Sequence, residues 1–337
     1  MTYSVFAIDA NTLSQSGCSA YTYALNGFLP YLREPWYQFS EQAIDNVNLN
    51  GGTNPAFPFL TGHGGANQVV PFGFLGIRTD QPILYINPSL PPQISYVKVR
   101  NFHFAGATLA ASLNTTYTKI TRLQTPASAN LVDRYEGTTM PLAVGPPGTP
   151  VPSNQMHTLA VGQTLEIPNR LYWQTSTQAS NLLQCLPVTS TDDYVPGQFP
   201  VAAIDGANST SWQPASNGST SLLVDMTNVP ASPVTGVFFD WGLRPATSAT
   251  VYLGNSTSSS GKWVEINVGA ITPSVPYSTT GTAASLAVVP VVGNTTYVPV
   301  AEGIWSGSYA RLEIDGCWEE DGEGATVSEF VLFGGGS

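Results

Sequence analysis

The sequence predicts a mainly β protein: a short α-helical segment over residues 1–80, a β-sandwich over 81–183, a jelly-roll β-sandwich over 184–333, and a tail at 334–337. Three observations predict it. From Ile83 onward, apolar residues recur at every second position in short runs bounded by turn formers, the period of half-buried strands. Before that point they recur mostly every three or four positions, the period of helices. Charged residues make up only 10% of the chain, against about 25% on average, so Ser, Thr, Asn, Gln, Gly and Pro must carry its polarity, as in extracellular-type β proteins. A chain of 337 residues has room for two or three domains of roughly 100–200 residues each.

The elements follow in order. Between Cys18 and Asn46, the spacing of Tyr21, Leu25 and Phe28, and then of Trp36, Phe39 and Ile44, predicts two helices, with Pro30 and Pro35 bracketing the break. Residues 46–58, rich in Gly, Asn and Pro, read as a loop. A tight turn is expected to begin at 61–65, and a last short helix at 68–77. In the first sandwich, 94–99 and 101–106 alternate, 113–123 is rich in Thr and β-branched residues, 142–154 reads as a Pro/Gly loop, and 159–167 closes the layer. The chain passes near 182–187 into the second sandwich, whose strands are expected at 222–224, 234–240, 249–253, 263–268, 310–314 and 328–333. The serine run at 256–260 reads as a hairpin tip. Gly334, Gly335, Gly336 and Ser337 resemble a linker, and no element is predicted for them.

Charge excludes some functions. Eleven Lys+Arg against 22 Asp+Glu give a net charge of −11, which repels a polyphosphate backbone and argues against a nucleic-acid reader. No run of about 18 apolar residues exists to span a bilayer. The first residues lack a basic region and reach Asp9 almost at once, so they do not form a signal peptide. Five Asn-x-Ser/Thr sequons, at Asn114, Asn208, Asn217, Asn255 and Asn294, nevertheless fit a secreted glycoprotein. The alternative is chance, because a chain rich in Ser, Thr and Asn generates sequons freely. A secreted-type body without a signal predicts a true N-terminus upstream of Met1.

Of the three cysteines, Cys185 sits at the start of the second sandwich and Cys317 near its end. Joining them would tie its terminal strands together, worth nearly 5 kcal/mol, roughly, by loop-closure entropy. Cys18 is then left unpaired. Three buried thiols are the alternative reading.

The run Gly51-Gly52-Thr53-Asn54-Pro55-Ala56-Phe57-Pro58-Phe59-Leu60-Thr61-Gly62-His63-Gly64-Gly65-Ala66-Asn67-Gln68, with Phe72-Gly73-Phe74-Leu75-Gly76-Ile77-Arg78 after it, reads as a long loop. Its glycines permit close backbone approach, and it delivers one imidazole and several amides to a helix N-terminus. By itself such a loop is as well explained as a plain turn. Together with Ser16-Gly17-Cys18-Ser19-Ala20-Tyr21-Thr22-Tyr23 and Pro35-Trp36-Tyr37-Gln38-Phe39-Ser40-Glu41-Gln42, it resembles the final helices of the catalytic barrel of fungal acid trehalases, glycoside hydrolase family 65. Leu90-Pro91-Pro92-Gln93-Ile94 and the strands after it are similar to that family's C-terminal β-sandwich. Residues 185–333, through Phe199-Pro200-Val201-Ala202-Ala203-Ile204-Asp205-Gly206, Trp212-Gln213-Pro214 and Ser328-Glu329-Phe330, resemble a discoidin (coagulation factor type C) module.

The resemblance implies that residues 1–80 are the end of an (α/α)6 barrel that hydrolyses α,α-trehalose to glucose with inversion. One carboxylic acid protonates the glycosidic oxygen, and a second carboxylate activates water from the opposite face. The family's general-acid motif lies upstream of everything in this chain and has no match here, so no catalytic residue is assigned. By the same resemblance, 16–21 and 61–67 correspond to loops enclosing water and sugar, which makes His63, Gly64, Gly65, Ser19 and Tyr21 the substrate-binding candidates. Glu41 and Glu34, in or beside an amphipathic helix, read as solvated or salt-bridged. A disaccharide phosphorylase would need cationic or hydroxyl groups to hold phosphate in the loop at 61–68, and the absence of any Lys or Arg between Glu34 and Arg78 argues against it. A non-catalytic carbohydrate-binding protein is the remaining alternative.

In the discoidin-like part, Asp205, Asn208, Thr210 and the distant Glu329 are candidates to cage a structural Ca2+ with oxygen ligands. The plain alternative is a turn with Trp212 as a core plug. No organic cofactor is expected. Trp241, Trp305 and Tyr309 are candidates to stack on sugar, against a role in the core. The implied partners are trehalose or another glucoside, the N-terminal remainder of the same enzyme, and glycans or cell wall. The implied location is extracellular, cell wall or vacuolar.

Overall fold

The computed structural model of the chain describes residues 2–13, 17–127, 130–146, 151–170, 181–257, 261–273, 294–319 and 322–335. The chain divides into two compact units, residues 1–172 and 173–337. Positions 258–260 of the expected hairpin tip, and the last two tail residues, lie outside the described residues.

The first unit opens with helix α1 (Thr2–Leu13), which the apolar pattern does not reveal because its buried stripe is Ser4, Ala7 and Asn11. Spacings of three and four place those residues on one face. Asn11, 1% exposed, donates its amide to the carbonyls of Gly73 at 2.8 Å and Ser89 at 3.1 Å. The Arg170 guanidinium donates to the carbonyls of Asn11 and Thr12, a cation placed where the helix dipole favours one. Helix α2 (Cys18–Phe28) follows as expected.

The second expected helix, around 36–44, does not form. Instead β1 (Leu32–Arg33) and β2 (Gln38–Phe39) pair antiparallel, with Trp36 and Tyr37 exposed at the tip. Of the apolar triplet Trp36, Phe39 and Ile44, only Phe39 is buried, so the spacing that suggested a helix marks no common face. Arg33 fixes the loop, reaching Asp45 at 2.6 Å and the carbonyls of Pro30, Gln42 and Ala43. The expected tight turn at 61–65 lies within helix α3 (Leu60–Gln68), which runs on into a π-helical turn at Val69–Phe74. Glycine is a poor helix former, but packing decides here. A Cβ on Gly62 would sit 3.0 Å from the Phe59 ring and 3.3 Å from Phe39, so any side chain there would press on the contact with β2.

Two sheets complete this unit. One orders β3 (Leu84–Ile86), β7 (Met140–Val144) and β8 (Met156–Leu159), with β3 and β7 parallel. The other orders β4 (Tyr96–Phe104), β5 (Ala107–Asn114), β6 (Tyr117–Leu123) and β9 (Thr164–Pro168), all antiparallel. The expected loop at 142–154 therefore begins inside a strand, and the expected strand at 159–167 is divided by a turn. Leu84, Ile86, Leu109, Leu113, Ile120, Leu142 and Leu159 form the core, continuous with Ala7, Ala24, Phe74, Leu75 and Ile77 from the helical part. Helical segment and sandwich thus share one hydrophobic cluster.

The second unit orders β10 (Val188–Ser190), β11 (Thr220–Asp225), β16 (Tyr309–Asp315), β13 (Ser248–Gly254) and β14 (Trp263–Ala270) in a five-stranded sheet. A three-stranded sheet orders β15 (Thr295–Pro299), β12 (Val234–Asp240) and β17 (Glu329–Gly334). All six strands expected from the alternation are present, and β10 and β15 are added. Both sheets contribute to one cluster containing Trp212, Leu222, Val237, Phe239, Trp241, Val251, Leu312, Phe330 and Leu332. Trp212 and Trp241 are wholly buried.

The cysteine assignment is corrected. Cys18 and Cys185 are the disulfide-bonded cysteines, and Cys317 is a buried thiol. The expected Cys185–Cys317 bridge does not form. Cys317 packs into the sandwich core and its sulfur accepts the Glu319 N–H at 3.4 Å. Cys185 sits in a left-handed backbone turn at φ 67°, its N–H bonded to the Ile204 carbonyl at 3.1 Å. Position near the terminal strands said nothing about which way either side chain faces.

Candidate functional site

The sugar-facing candidates gather only in part. Ser19 is buried in α2 and Tyr21 is half-buried on it, while Gly64 and Gly65 sit on α3 with Gly64 exposed. His63, on the same helix, faces β2. Its Nε2 accepts the Phe39 N–H at 3.1 Å, and its ring meets the Phe39 ring edge-on at 4.8 Å. In the neutral imidazole this places the proton on Nδ1, so any hydrogen bond to a ligand would be given from Nδ1. A neighbouring cavity is lined by Ser4, Tyr31, Phe39, Ser40, Glu41 and Gly62, among others, and none of the five candidates lines it. Burial raises the Tyr31 phenol above its ordinary value, with Tyr3 adding to the effect. Glu41 accepts the Ala56 N–H at 2.9 Å and Glu34 accepts the Tyr37 hydroxyl at 3.4 Å. Both glutamates are exposed and neither lies in a helix.

The second cluster lies in the other unit and is acidic. Asp205 (0% exposed) follows a 3-10 turn at Pro200–Ile204, and Glu329 (6%) opens β17. Asp205 accepts the Ala207 N–H at 2.9 Å and the Thr210 hydroxyl at 2.8 Å. Glu329 Oε1 is buried and has no hydrogen-bond partner among the described residues. Burial raises the Glu329 carboxyl well above the usual carboxylate range. Asp205 raises it further, and the N–H groups of Gly206 and Ala207 partly offset the shift. Asp240, buried at the end of β12, adds a third acidic charge. Its oxygens take the Gly242 N–H and the Asn208 amide, each at 2.9 Å.

Of the four metal candidates, Asp205 and Glu329 therefore face one another electrostatically, whereas Thr210 and Asn208 turn to neighbouring carboxylates. Sequence reasoning missed Asp240. Its signal was an acidic residue closing an otherwise apolar strand. Every donor is oxygen, as a hard cation requires, and the orphaned Oε1 fits one. Among the described residues, however, no three His, Cys, Asp or Glu side chains converge as a metal-binding group.

The raised Glu329 carboxyl has a consequence for stability. Between the unfolded value of 4.5 and the higher folded one, the native state holds a proton that the unfolded state has lost. Stability contributed below that window is therefore lost as pH rises through it. Melting followed from about pH 4 to pH 8 should fall more steeply in the wild type than in Glu329→Gln. Parallel curves would contradict it.

The sequons differ in what their amides do. Asn208 gives its Nδ2 to Asp240, and Asn294 gives its own to the Gly242 carbonyl at 2.8 Å. Asn217 and Asn255 are exposed, and Asn114 uses its oxygen for the N–H groups of Thr116 and Tyr117. Trp241 is core, its Nε1 donating to Thr296 at 2.9 Å, whereas Trp305 is exposed and Tyr309 half-buried.

No protein-family model matches the chain. The chain is 40% identical to an acid trehalase of Emericella nidulans over 99% of its own length and 33% of that protein. It is 39% identical to a cell wall acid trehalase of Arthroderma benhamiae, over 98% of this chain and 34% of the relative. A periplasmic/secreted acid trehalase of Candida glabrata is 32% identical over 73% of this chain and 22% of its own length. The chain thus spans about a third of the length of the first two relatives. Among solved structures, chitosan-binding module 1 of a chitosanase/glucanase from Paenibacillus sp. IK-5 aligns with 46% of this chain and 98% of its own, at 17% identity and a TM-score of 0.34. The family 32 CBM from C. perfringens NanJ, in complex with galactose, covers the same shares at 14% identity and a TM-score of 0.33.

Proposed function

We propose that this chain is part of a fungal acid trehalase, a glycoside hydrolase that cleaves α,α-trehalose to glucose with inversion. The observation that carries the reading is the 40% identity to an acid trehalase along 99% of the chain. The relatives named for cell wall, periplasm or secretion support an extracellular or cell-wall location. No helix among the described residues is long and apolar enough to cross a membrane.

In finer detail, residues 1–80 are the closing end of an (α/α)6 barrel of glycoside hydrolase family 65, 81–183 that family's β-sandwich, and 184–333 a discoidin-like module. The pair of carboxylates that an inverting hydrolase needs is completed by residues outside this chain. The part played here is enclosure. α3 and β2, clamped by the bond from Phe39 to His63, present His63 Nδ1, Gly64 and Gly65 to a sugar hydroxyl. Asn217 and Asn255, both exposed, are the sequons placed to carry glycans.

The test compares this 337-residue chain with the longer protein containing it, following glucose release from trehalose and the anomers formed. The longer protein is expected to yield one α- and one β-glucose per trehalose, as inversion at one centre requires, and the chain alone to yield none. Turnover by the chain alone would overturn the assignment of the acid to residues outside it. Two α-glucoses would overturn inversion.

A further inference from the structure

The net charge is not spread evenly. Residues 1–172 hold eight Lys+Arg and eight Asp+Glu, and residues 173–337 hold three and fourteen, so the whole charge of −11 belongs to the second unit. Most cations of the first unit are engaged. Arg33 pairs with Asp45, Arg122 with Asp133 and Lys119 with Glu166, while Arg78 and Arg170 are taken up by backbone carbonyls. Lys98 and Arg100 are exposed on β4 and form no ion pair or side-chain hydrogen bond among the described residues.

Their placement follows from the strand. Val97, Val99, Phe102 and Phe104 are more buried than their neighbours, and the bulge between Val99 and Phe102 sets Arg100 and Asn101 side by side, both exposed. An extra residue in a strand re-aims side chains in this way. Across the outer face, Tyr96 lies opposite Asn114, and Lys98 opposite Ser112, which in turn lies opposite Lys119. The middle strand β5 offers only Ala110, Ser112 and Asn114 there, while β4 and β6 offer Tyr96, Lys98, Arg100, Tyr117 and Lys119. Lys119 lies over the Tyr117 ring, 5.1 Å from its centroid. Long side chains on either side of a floor of small ones make a trough. At usual strand spacings its walls stand about 10 Å apart, and the stretch from Tyr96 to Arg100 is about 13 Å long.

We propose that this trough binds an acidic polysaccharide, with Lys98 and Arg100 pairing to its anionic groups and the Ser112 and Asn114 side chains facing its hydroxyls. Two uncompensated cations in a groove as wide as a sugar ring suit a hydroxyl-rich chain carrying a charge at intervals. The chemistry is the same for carboxylate and phosphate. The inference does not rest on the trehalase reading, and the whole chain is its reagent.

Affinity electrophoresis in gels containing polygalacturonate, phosphorylated dextran or plain dextran tests it. The wild type is expected to be retarded by one or both charged polymers and not by plain dextran, and stronger retardation by one of the two identifies the anionic group. Retardation should vanish between about 20 mM and 0.5 M salt, as the Debye length falls from roughly 20 Å to roughly 4 Å. Lys98→Ala with Arg100→Ala should weaken binding about tenfold, some 1.4 kcal/mol, with unchanged circular dichroism and melting. Ser112→Glu, which sets a carboxylate between Lys98 and Lys119, should do the same, and Lys262→Ala in the second unit should not. Equal retardation by plain dextran, an unaffected double variant, or a salt-sensitive dimer formed without polymer would overturn the proposal, the last because the acidic unit of a second copy would then be the occupant.

Discussion

Phe239→Ala is expected to destabilise the second unit by about 3–5 kcal/mol, the usual cost of removing a buried aromatic side chain and leaving a cavity. Phe239 is wholly buried on β12. Its ring lies parallel to Trp241 at 4.7 Å and to Phe330 at 5.1 Å, so truncation breaks both stacks together. Because β12 pairs with both β15 and β17, the hole opens at the middle of its sheet, where neighbouring strands have least room to close in. Urea titration should show a lower midpoint with an unchanged slope. Phe239→Leu, which refills most of the volume, should cost far less. A loss below about 1 kcal/mol for the alanine variant would mean that the stack contributes little to the core of the second unit.

Arg122→Met is expected to cost the first unit a similar amount, about 3–5 kcal/mol, for a different reason. Arg122 is wholly buried and its guanidinium donates to the carbonyls of Thr138, Leu159 and Tyr135 at 2.7, 3.0 and 2.8 Å and to Asp133 at 3.1 Å. Methionine matches much of the volume, so packing survives. Three carbonyls lose their donor, and a mostly buried carboxylate (11% exposed) loses its cation. Adding Asp133→Asn removes the stranded charge and should recover part of the loss in a double-mutant cycle. Additive single effects would show that the pair does not act as a unit.

How much was legible is clear from particular elements. β13 reads as a strand because its burial alternates along Ser248–Gly254, and the sequence carries that alternation openly. α1 was invisible because its buried face is Ser4, Ala7 and Asn11, which no apolar pattern reports. The supposed helix at 36–44 failed because three apolar residues at helix-like spacing do not share a face unless something packs against them. At the acidic cluster, the Asp205-Gly206 turn and Glu329 were legible as partners, while Asp240 was not, because nothing local distinguishes it from a strand-ending aspartate.

The sequence by itself determined the mainly β composition, all six strands first marked in the second unit, the sparse charge and the positions of the sequons. These depend on local period and residue type. Only the tertiary structure decided that Cys185 does not pair with Cys317, that His63 turns its Nε2 to Phe39, and that the cations of β4 stand without carboxylates. Each of those depends on which distant backbone comes alongside. A one-residue change of register or a bulge such as that at Arg100 and Asn101 redirects a side chain without altering the local pattern around it.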